Sequence, residues 1–269
     1  MGTSVEPLTF QQRVRRNFGR QAMHYEGQAR LQRAVAWRLG RLCRDLPLPA
    51  GATADLGSGS GLLSRALLEH WPALRRQVPL QLDVCPELLE RNPLLQHQPG
   101  AFWPCPGLQW DLDEGLPPVL QDAALLASSF ALQWLEAPER ELARWCRWLK
   151  PGGWLVLAVP TAGSFPQWHR AAAAAAVPCT ALSLPKAQGL ISTAAGQGLH
   201  LHRAQRLTFT VPSQGGLITL RRLQRLGAGS GHHPPRAAGQ LRRLLRHWPA
   251  ETPLSWEVLL LLARKVTQT

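Results

Sequence analysis

The stretch Asp55-Leu56-Gly57-Ser58-Gly59-Ser60-Gly61 decides the fold of this chain. It follows a short apolar run, Ala52 to Leu56, and opens a helical pattern from Ser60 to Trp71, so it reads as the turn between a strand and a helix. Glycines at 57, 59 and 61 let the backbone approach a ligand where a Cβ would stand in the way. A dinucleotide-binding turn would place its third glycine at position 62, which here is Leu62. The observed spacing suits S-adenosylmethionine better than a nicotinamide dinucleotide.

Working outward, strands and helices alternate. Pro79 to Val84 reads as a strand, Pro86 to Arg91 as a short helix and Ala123 to Ser128 as a buried strand. Pro138 to Leu149 reads as a helix with proline in its first turn, and Trp154 to Val159 as a continuous apolar strand, with the turn Lys150-Pro151-Gly152-Gly153 between them. This is the βαβ signature of a parallel sheet in an α/β, Rossmann-like fold. The stretch Asn92 to Trp110, with four prolines, leaves the third strand unplaced. Before the sheet, Phe10 to Arg44 is helical in pattern; after it, 161–200 reads as a helical insertion. Arg206 to Val211 and Leu254 to Lys265 read as the last strands, separated by helices at Leu217 to Leu226 and Arg236 to His247.

With 269 residues and 45% apolar content, the chain can bury a full globular core. Met1 to Phe10 lacks the apolar segment of a signal peptide, and Val258 to Ala263 is too short to span a bilayer, so the expectation is a soluble protein with no membrane partner. Cys43, Cys85, Cys105, Cys146 and Cys179 are scattered without C-x-x-C spacing, which predicts no disulfide framework and no metal site, and a cytoplasmic home. His232-His233 lacks further ligands at suitable spacing and reads as part of a solvated loop. The net charge of +13 points to an anionic partner.

In an open parallel sheet, ligands bind beyond the carboxyl ends of the strands. Asp55 ends the first strand beside a helix N-terminus that can receive the carboxylate of an amino acid. Asp83 ends the second strand, 22 residues after Gly61, where a carboxylate can accept both ribose hydroxyls. Asp111 lies after the expected third strand and can accept from an adenine amino group. Gly57, Ser58, Gly59, Gly61, Val84, Leu112 and Ser128 complete the expected cofactor contacts. Together they describe a site for a nucleoside joined to an amino acid.

The chain resembles the class I S-adenosylmethionine-dependent methyltransferases and, within them, the malonyl-acyl-carrier-protein O-methyltransferases of biotin biosynthesis. Besides the glycine turn, the resemblance rests on Phe18-Gly19-Arg20-Gln21-Ala22-Met23-His24-Tyr25, Leu31-Gln32-Arg33, Ala131-Leu132-Gln133-Trp134 and Leu149-Lys150-Pro151-Gly152-Gly153. It rests also on Gly163-Ser164-Phe165-Pro166 and Leu223-Gln224-Arg225-Leu226-Gly227-Ala228. It covers nearly the whole chain and implies one methyltransferase domain over 1–269, with seven strands, the last antiparallel. Within it the expected parts are an amino-terminal lid (10–46), a cofactor-binding core (50–160), a helical cap (161–200) and carboxy-terminal strands with basic helices (201–269).

The implied reaction moves a methyl group from S-adenosylmethionine to the free carboxylate of malonyl-acyl-carrier protein. Tyr25, Gln133 and Trp134 are the expected catalytic-site residues, with Phe18 on the lid and His169 and Arg170 as candidates for the substrate carboxylate. An acidic carrier would dock on a basic face, for which Arg221, Arg222 and Arg225 fall at helical spacing; Arg13, Arg15 and Arg16 form a further cluster. A nucleic-acid methyltransferase is the main alternative. Its adenine-N6 form expects a Pro-Pro-aromatic turn where this chain reads Ser128-Ser129-Phe130-Ala131, and its cytosine-C5 form expects a Pro-Cys nucleophile, whereas Pro178-Cys179 lies in the insertion. A small-molecule carboxylate or hydroxyl is the remaining alternative acceptor.

Overall fold

The computed structural model describes residues 8–75, 77–96, 106–212, 215–225, 237–249 and 252–266. The loop Gly227 to Pro235 with its histidine pair, together with Leu226, Arg236 and Cys105, lies outside them. Seven strands form one sheet: β1 (Thr53–Leu56), β2 (Leu80–Asp83), β3 (Gly107–Gln109), β4 (Ala123–Ser129), β5 (Leu149–Pro160), β6 (Leu199–Val211) and β7 (Leu254–Lys265). Their spatial order is β3-β2-β1-β4-β5-β7-β6. The first five run parallel, and β7 lies antiparallel between β5 and β6. The chain leaves β1 towards β2 on one side and returns to β4 on the other, so the strand order reverses between β1 and β4. A crevice opens there at the carboxyl ends.

The inner strands are apolar runs because both faces are covered. On β5, Trp154, Val156 and Ala158 join the core on one face, while Leu155, Leu157 and Val159 join the core on the other. Val258, Leu260 and Leu262 of β7 alternate with Leu259, Leu261 and Ala263 in the same way. Helices α2 (Arg30–Leu42) and α3 (Leu62–His70) cover the first face through Val35, Leu39 and Leu67. On the opposite face, α5 (Pro138–Trp148) and α7 (Ala187–Gly196) pack through Leu142, Trp145 and Leu190. The remaining α-helices among the described residues are α1 (Phe10–Gln28), α4 (Pro86–Leu89), α6 (Pro166–Ala174), α8 (Gly216–Arg225) and α9 (Ala238–Arg246).

Three local readings are corrected. The amino-terminal helical pattern is two helices, because Ala29 takes ψ 41° and separates α1 from α2. Lys150-Pro151-Gly152-Gly153 is not a turn before β5 but an irregularity inside it: Gly152 has φ +78°, and the pairing with β4 jumps from Leu149 to Trp154. The strand expected at Arg206 starts at Leu199, since β6 is an exposed edge whose polar outward residues hide its alternation. The third strand settles at Gly107–Gln109. Of the segment 161–200, α6 packs against α9 and β7, whereas α7 packs against α5 and β6 and forms the crossover into the edge strand. No helix among the described residues is long and apolar enough to cross a membrane.

Candidate functional site

A cavity of about 210 Å³ occupies the crevice. Its floor is the glycine turn. Gly57 and Gly59 have φ +71° and +52°, and a Cβ on Gly57 would fall 2.2 Å from that of Ala131, so this backbone conformation and approach need glycine. Gly61, at φ +80°, does not line the cavity; a Cβ there would meet Asn92 Oδ1 at 2.3 Å. It serves packing behind the turn.

Asp55, Asp83 and Asp111 all reach the cavity wall, joined by Asp113. Asp55 Oδ2 accepts from the Ser64 backbone N–H (3.1 Å) and hydroxyl (2.7 Å) at the start of α3. Burial still lifts its pKa from 3.8 to about 7, against those two hydrogen bonds and with a small push from the neighbouring Asp83 charge. Asp83 accepts from the Gly59 N–H through Oδ2 and from the Cys85 N–H through Oδ1, each at 2.8 Å. Burial outweighs these bonds and raises its pKa to about 6. Each of these oxygens retains a further lone pair for a ligand hydroxyl. Asp111 Oδ1 caps the following turn by accepting from the Asp113 N–H at 3.0 Å.

The roof is α1. A capping box between Thr9 and Gln12 starts it, and the helical spacing of Gln11, Arg15, Phe18 and Tyr25 turns their side chains towards the cavity. Gln11 Nε2 donates to Asp113 Oδ2 at 2.7 Å and to the Trp134 carbonyl at 3.0 Å. Phe18 packs edge-on against Trp134, with ring centroids 5.5 Å apart, and Tyr25 follows at 6.3 Å. At the far end Glu26 pairs with Arg65 of α3 at 2.5 Å. Burial, then the charges of Asp83 and Glu26, hold the Tyr25 phenol above its ordinary pKa. It is a hydrogen-bond donor at neutral pH, not a base.

The structure brings Phe18, Tyr25, Asp55, Gly57, Ser58, Gly59, Asp83, Val84, Asp111, Leu112 and Trp134 to one cavity. Others of the expected residues stand elsewhere. The Ser128 hydroxyl is turned away, donating to the Leu56 carbonyl at 2.7 Å, and its neighbour Ser129 faces the cavity instead. Gln133 is buried behind the wall, its amide nitrogen donating to the Phe130 carbonyl at 2.6 Å. His169 and Arg170 are exposed on α6, and Arg221, Arg222 and Arg225 are exposed on α8, which packs against α1. Sequence reasoning missed Gln11, Gln32, Asp113 and Phe130. Phe130 follows β4 with φ +57°, a strained setting for a bulky residue, and closes the wall with its ring against Trp256. Arg15, read only as part of a basic cluster, is the one Lys, Arg or His among the described lining residues.

Residues 54–157 match the family described as "Methyltransferase domain". The chain is 31% identical over 253 residues, 91% of its length, to the biotin biosynthesis bifunctional protein BioCD of Bordetella avium. It spans half the length of that relative. It is also 29% identical over 241 residues to the malonyl-[acyl-carrier protein] O-methyltransferase of Magnetococcus marinus, covering 87% of this chain and 84% of that one. Among solved structures, a Haloferax volcanii methyltransferase in complex with the Trm112 methyltransferase activator superposes with a TM-score of 0.57 at 18% identity, over 95% of this chain and 99% of that one. With the sheet order, the glycine turn and these likenesses in agreement, residues 54–157 form a methyltransferase domain within a Rossmann-like α/β sheet, and the chain as a whole is similar in sequence to the malonyl-[acyl-carrier protein] O-methyltransferases.

Proposed function

We propose that this chain transfers the methyl group of S-adenosylmethionine to the free carboxylate of a malonyl group carried on an acidic acyl-carrier protein. The relatives' names suggest the acceptor. The observation that carries the chemistry is the cavity lining, an acidic floor under an aromatic and amide-bearing roof with Arg15 as its sole cation among the described residues.

The residues present fit the cofactor. The glycine turn leaves room for its backbone to follow a ligand, Asp83 retains acceptor capacity for ribose hydroxyls, and Asp111, on the same cavity wall, would accept from an adenine amino group. When bound, S-adenosylmethionine supplies a methyl group on a positively charged sulfur. A carboxylate acceptor is ionised at neutral pH, so its oxygen attacks without a general base. No His or Lys lines the cavity among the described residues, and that is compatible with this acceptor. Trp134, Phe18 and Phe130 exclude water, the Tyr25 hydroxyl orients the acceptor oxygen, and Arg15 supplies its counter-charge on the same face of α1. Catalysis is then alignment of two reactants in a dry site. The carrier docks on the exposed arginines of α8 beside the lid.

Mass spectrometry of malonyl-loaded carrier protein, incubated with enzyme and S-adenosylmethionine, should show the gain of one methyl group in place of a proton, absent from unloaded carrier. Arg15→Gln should raise KM for the malonyl carrier about tenfold, the worth of one charge-assisted hydrogen bond. It should leave cofactor affinity unchanged. If wild-type protein binds S-adenosylmethionine but methylates no carrier, the acceptor lies elsewhere, with small carboxylates and RNA next to try.

A further inference from the structure

Four buried polar atoms on the cavity wall have no hydrogen-bond partner: Gln32 Oε1, Asp55 Oδ1, Ser58 Oγ and Ser129 Oγ. They come from four separate segments: helix α2, the end of β1, the glycine turn and the end of β4. Buried polar groups in a native protein are almost always satisfied, so several orphans on one cavity describe the ligand that satisfies them. The Gln32 carboxamide oxygen only accepts. Asp55 Oδ1 only accepts when ionised, and the two serine hydroxyls can adapt to either role. A group complementary to this set carries several N–H donors and a positive charge. A primary ammonium has three such donors.

Gln32 is also held still. It sits on α2, not on the roof helix α1, and α2 is fixed to the sheet and α3 by Val35 and Leu39, both fully buried. The guanidinium of Arg33 donates to the Glu26 carbonyl at 2.8 Å, which anchors the first turn of α2 to the end of α1. The motif Leu31-Gln32-Arg33 thus places one amide on the wall of the cavity that Asp55 also lines, and leaves its oxygen without a protein partner.

We propose that Gln32 is a cofactor-binding residue, its carboxamide oxygen accepting a hydrogen bond from the ammonium at the amino-acid end of S-adenosylmethionine. This rests on the cofactor assignment above but not on the identity of the methyl acceptor. Asp55 Oδ1 takes a second N–H of the same ammonium, and the Ser58 and Ser129 hydroxyls bound the pocket around it.

The test compares two ligands by titration calorimetry on the full chain. S-adenosylhomocysteine keeps the amino-acid end, whereas 5′-methylthioadenosine has the same nucleoside and thioether without it. Gln32→Ala should weaken S-adenosylhomocysteine by about tenfold or more, as expected for one hydrogen bond to a charged group. The affinity for 5′-methylthioadenosine should stay unchanged, which also reports that the variant is folded. Gln32→Glu keeps an acceptor at this position and should hold S-adenosylhomocysteine at least as tightly as Gln32→Ala does. Equal losses for both ligands, or no loss for either, would overturn the proposal. If Gln32→Glu binds S-adenosylhomocysteine more weakly than Gln32→Ala, the residue faces the ligand's carboxylate and the ammonium assignment fails. Should wild-type protein bind neither ligand, the cofactor reading itself is wrong.

Discussion

Asp55 shows how a single buried carboxylate ties the site to the stability of the fold. Its pKa is about 7 in the folded chain against 3.8 ordinarily, because burial outweighs the two hydrogen bonds from Ser64. Between those values the folded state binds more protons than the unfolded state, so this group makes the cofactor-free protein less stable as pH rises towards 7. Above pH 7 the full penalty, on the order of a few kcal/mol, remains. Asp55→Asn keeps an acceptor for Ser64 and removes the charge. Its Tm, measured without cofactor, should therefore gain on wild type as pH is raised from 5 to 8, by roughly several degrees. A difference that stays constant across that range would show that Asp55 is ionised normally. The three acids were legible in the sequence because strand ends and a glycine turn restrict where they go. The orphaned amide of Gln32 was not, since a polar residue on an amphipathic helix usually faces water, and only the packing of α2 shows this one turned to a cavity.

At the scale of elements, the cavity is roofed by one helix held at its two ends. The Gln11 amide bridges to Asp113 and Trp134 near the start of α1, and Glu26 pairs with Arg65 near its finish. Ala29 breaks the helix directly behind it and is the expected hinge of α1, with the Arg33 bond to the Glu26 carbonyl as the contact a swing would have to carry along or release. The expectation is that ligand exchange requires α1 to move at this hinge. Combining Gln11→Ala with Phe18→Ala removes the bridge and the edge-on contact to Trp134, and should speed dissociation of S-adenosylhomocysteine at least tenfold in stopped-flow experiments. The global Tm should fall only slightly, because few core residues are on α1. An unchanged dissociation rate would mean that the cofactor leaves by a route not gated by this helix. The inner elements were readable from apolar runs, β7 in full. The misread ones share a cause, for the periodic signal is lost where neighbours override it. Gly152 folds an irregularity into β5, β6 displays polar residues on an open edge, and a single residue, Ala29, divides α1 from α2 with no proline or turn motif to announce it.

For the whole molecule, part of the excess positive charge is carried by two neighbouring helices. Arg221, Arg222 and Arg225 are exposed on α8, and α8 packs against α1, whose outer surface exposes Arg16 and Arg20. Two helices that expose arginines, some two hundred residues apart in sequence, are thus packed against one another, and one of them roofs the cavity. Under the proposed function, an acidic carrier attracted to these helices would deliver its acyl group beside the roof, and the encounter would be faster at low salt. Because exposed charges act over a distance set by screening, KM for the malonyl carrier should rise with ionic strength. Reversing Arg221 and Arg225 to Glu should raise that KM about tenfold at low salt and flatten its salt dependence, with kcat and S-adenosylhomocysteine affinity unchanged. These residues lie on a solvated face outside the cavity, so a loss of cofactor binding would mean that α8 supports the lid rather than receives the carrier. Unchanged kinetics would move the docking face to α9, whose Arg242, Arg243 and Arg246 are the next exposed cluster along the chain.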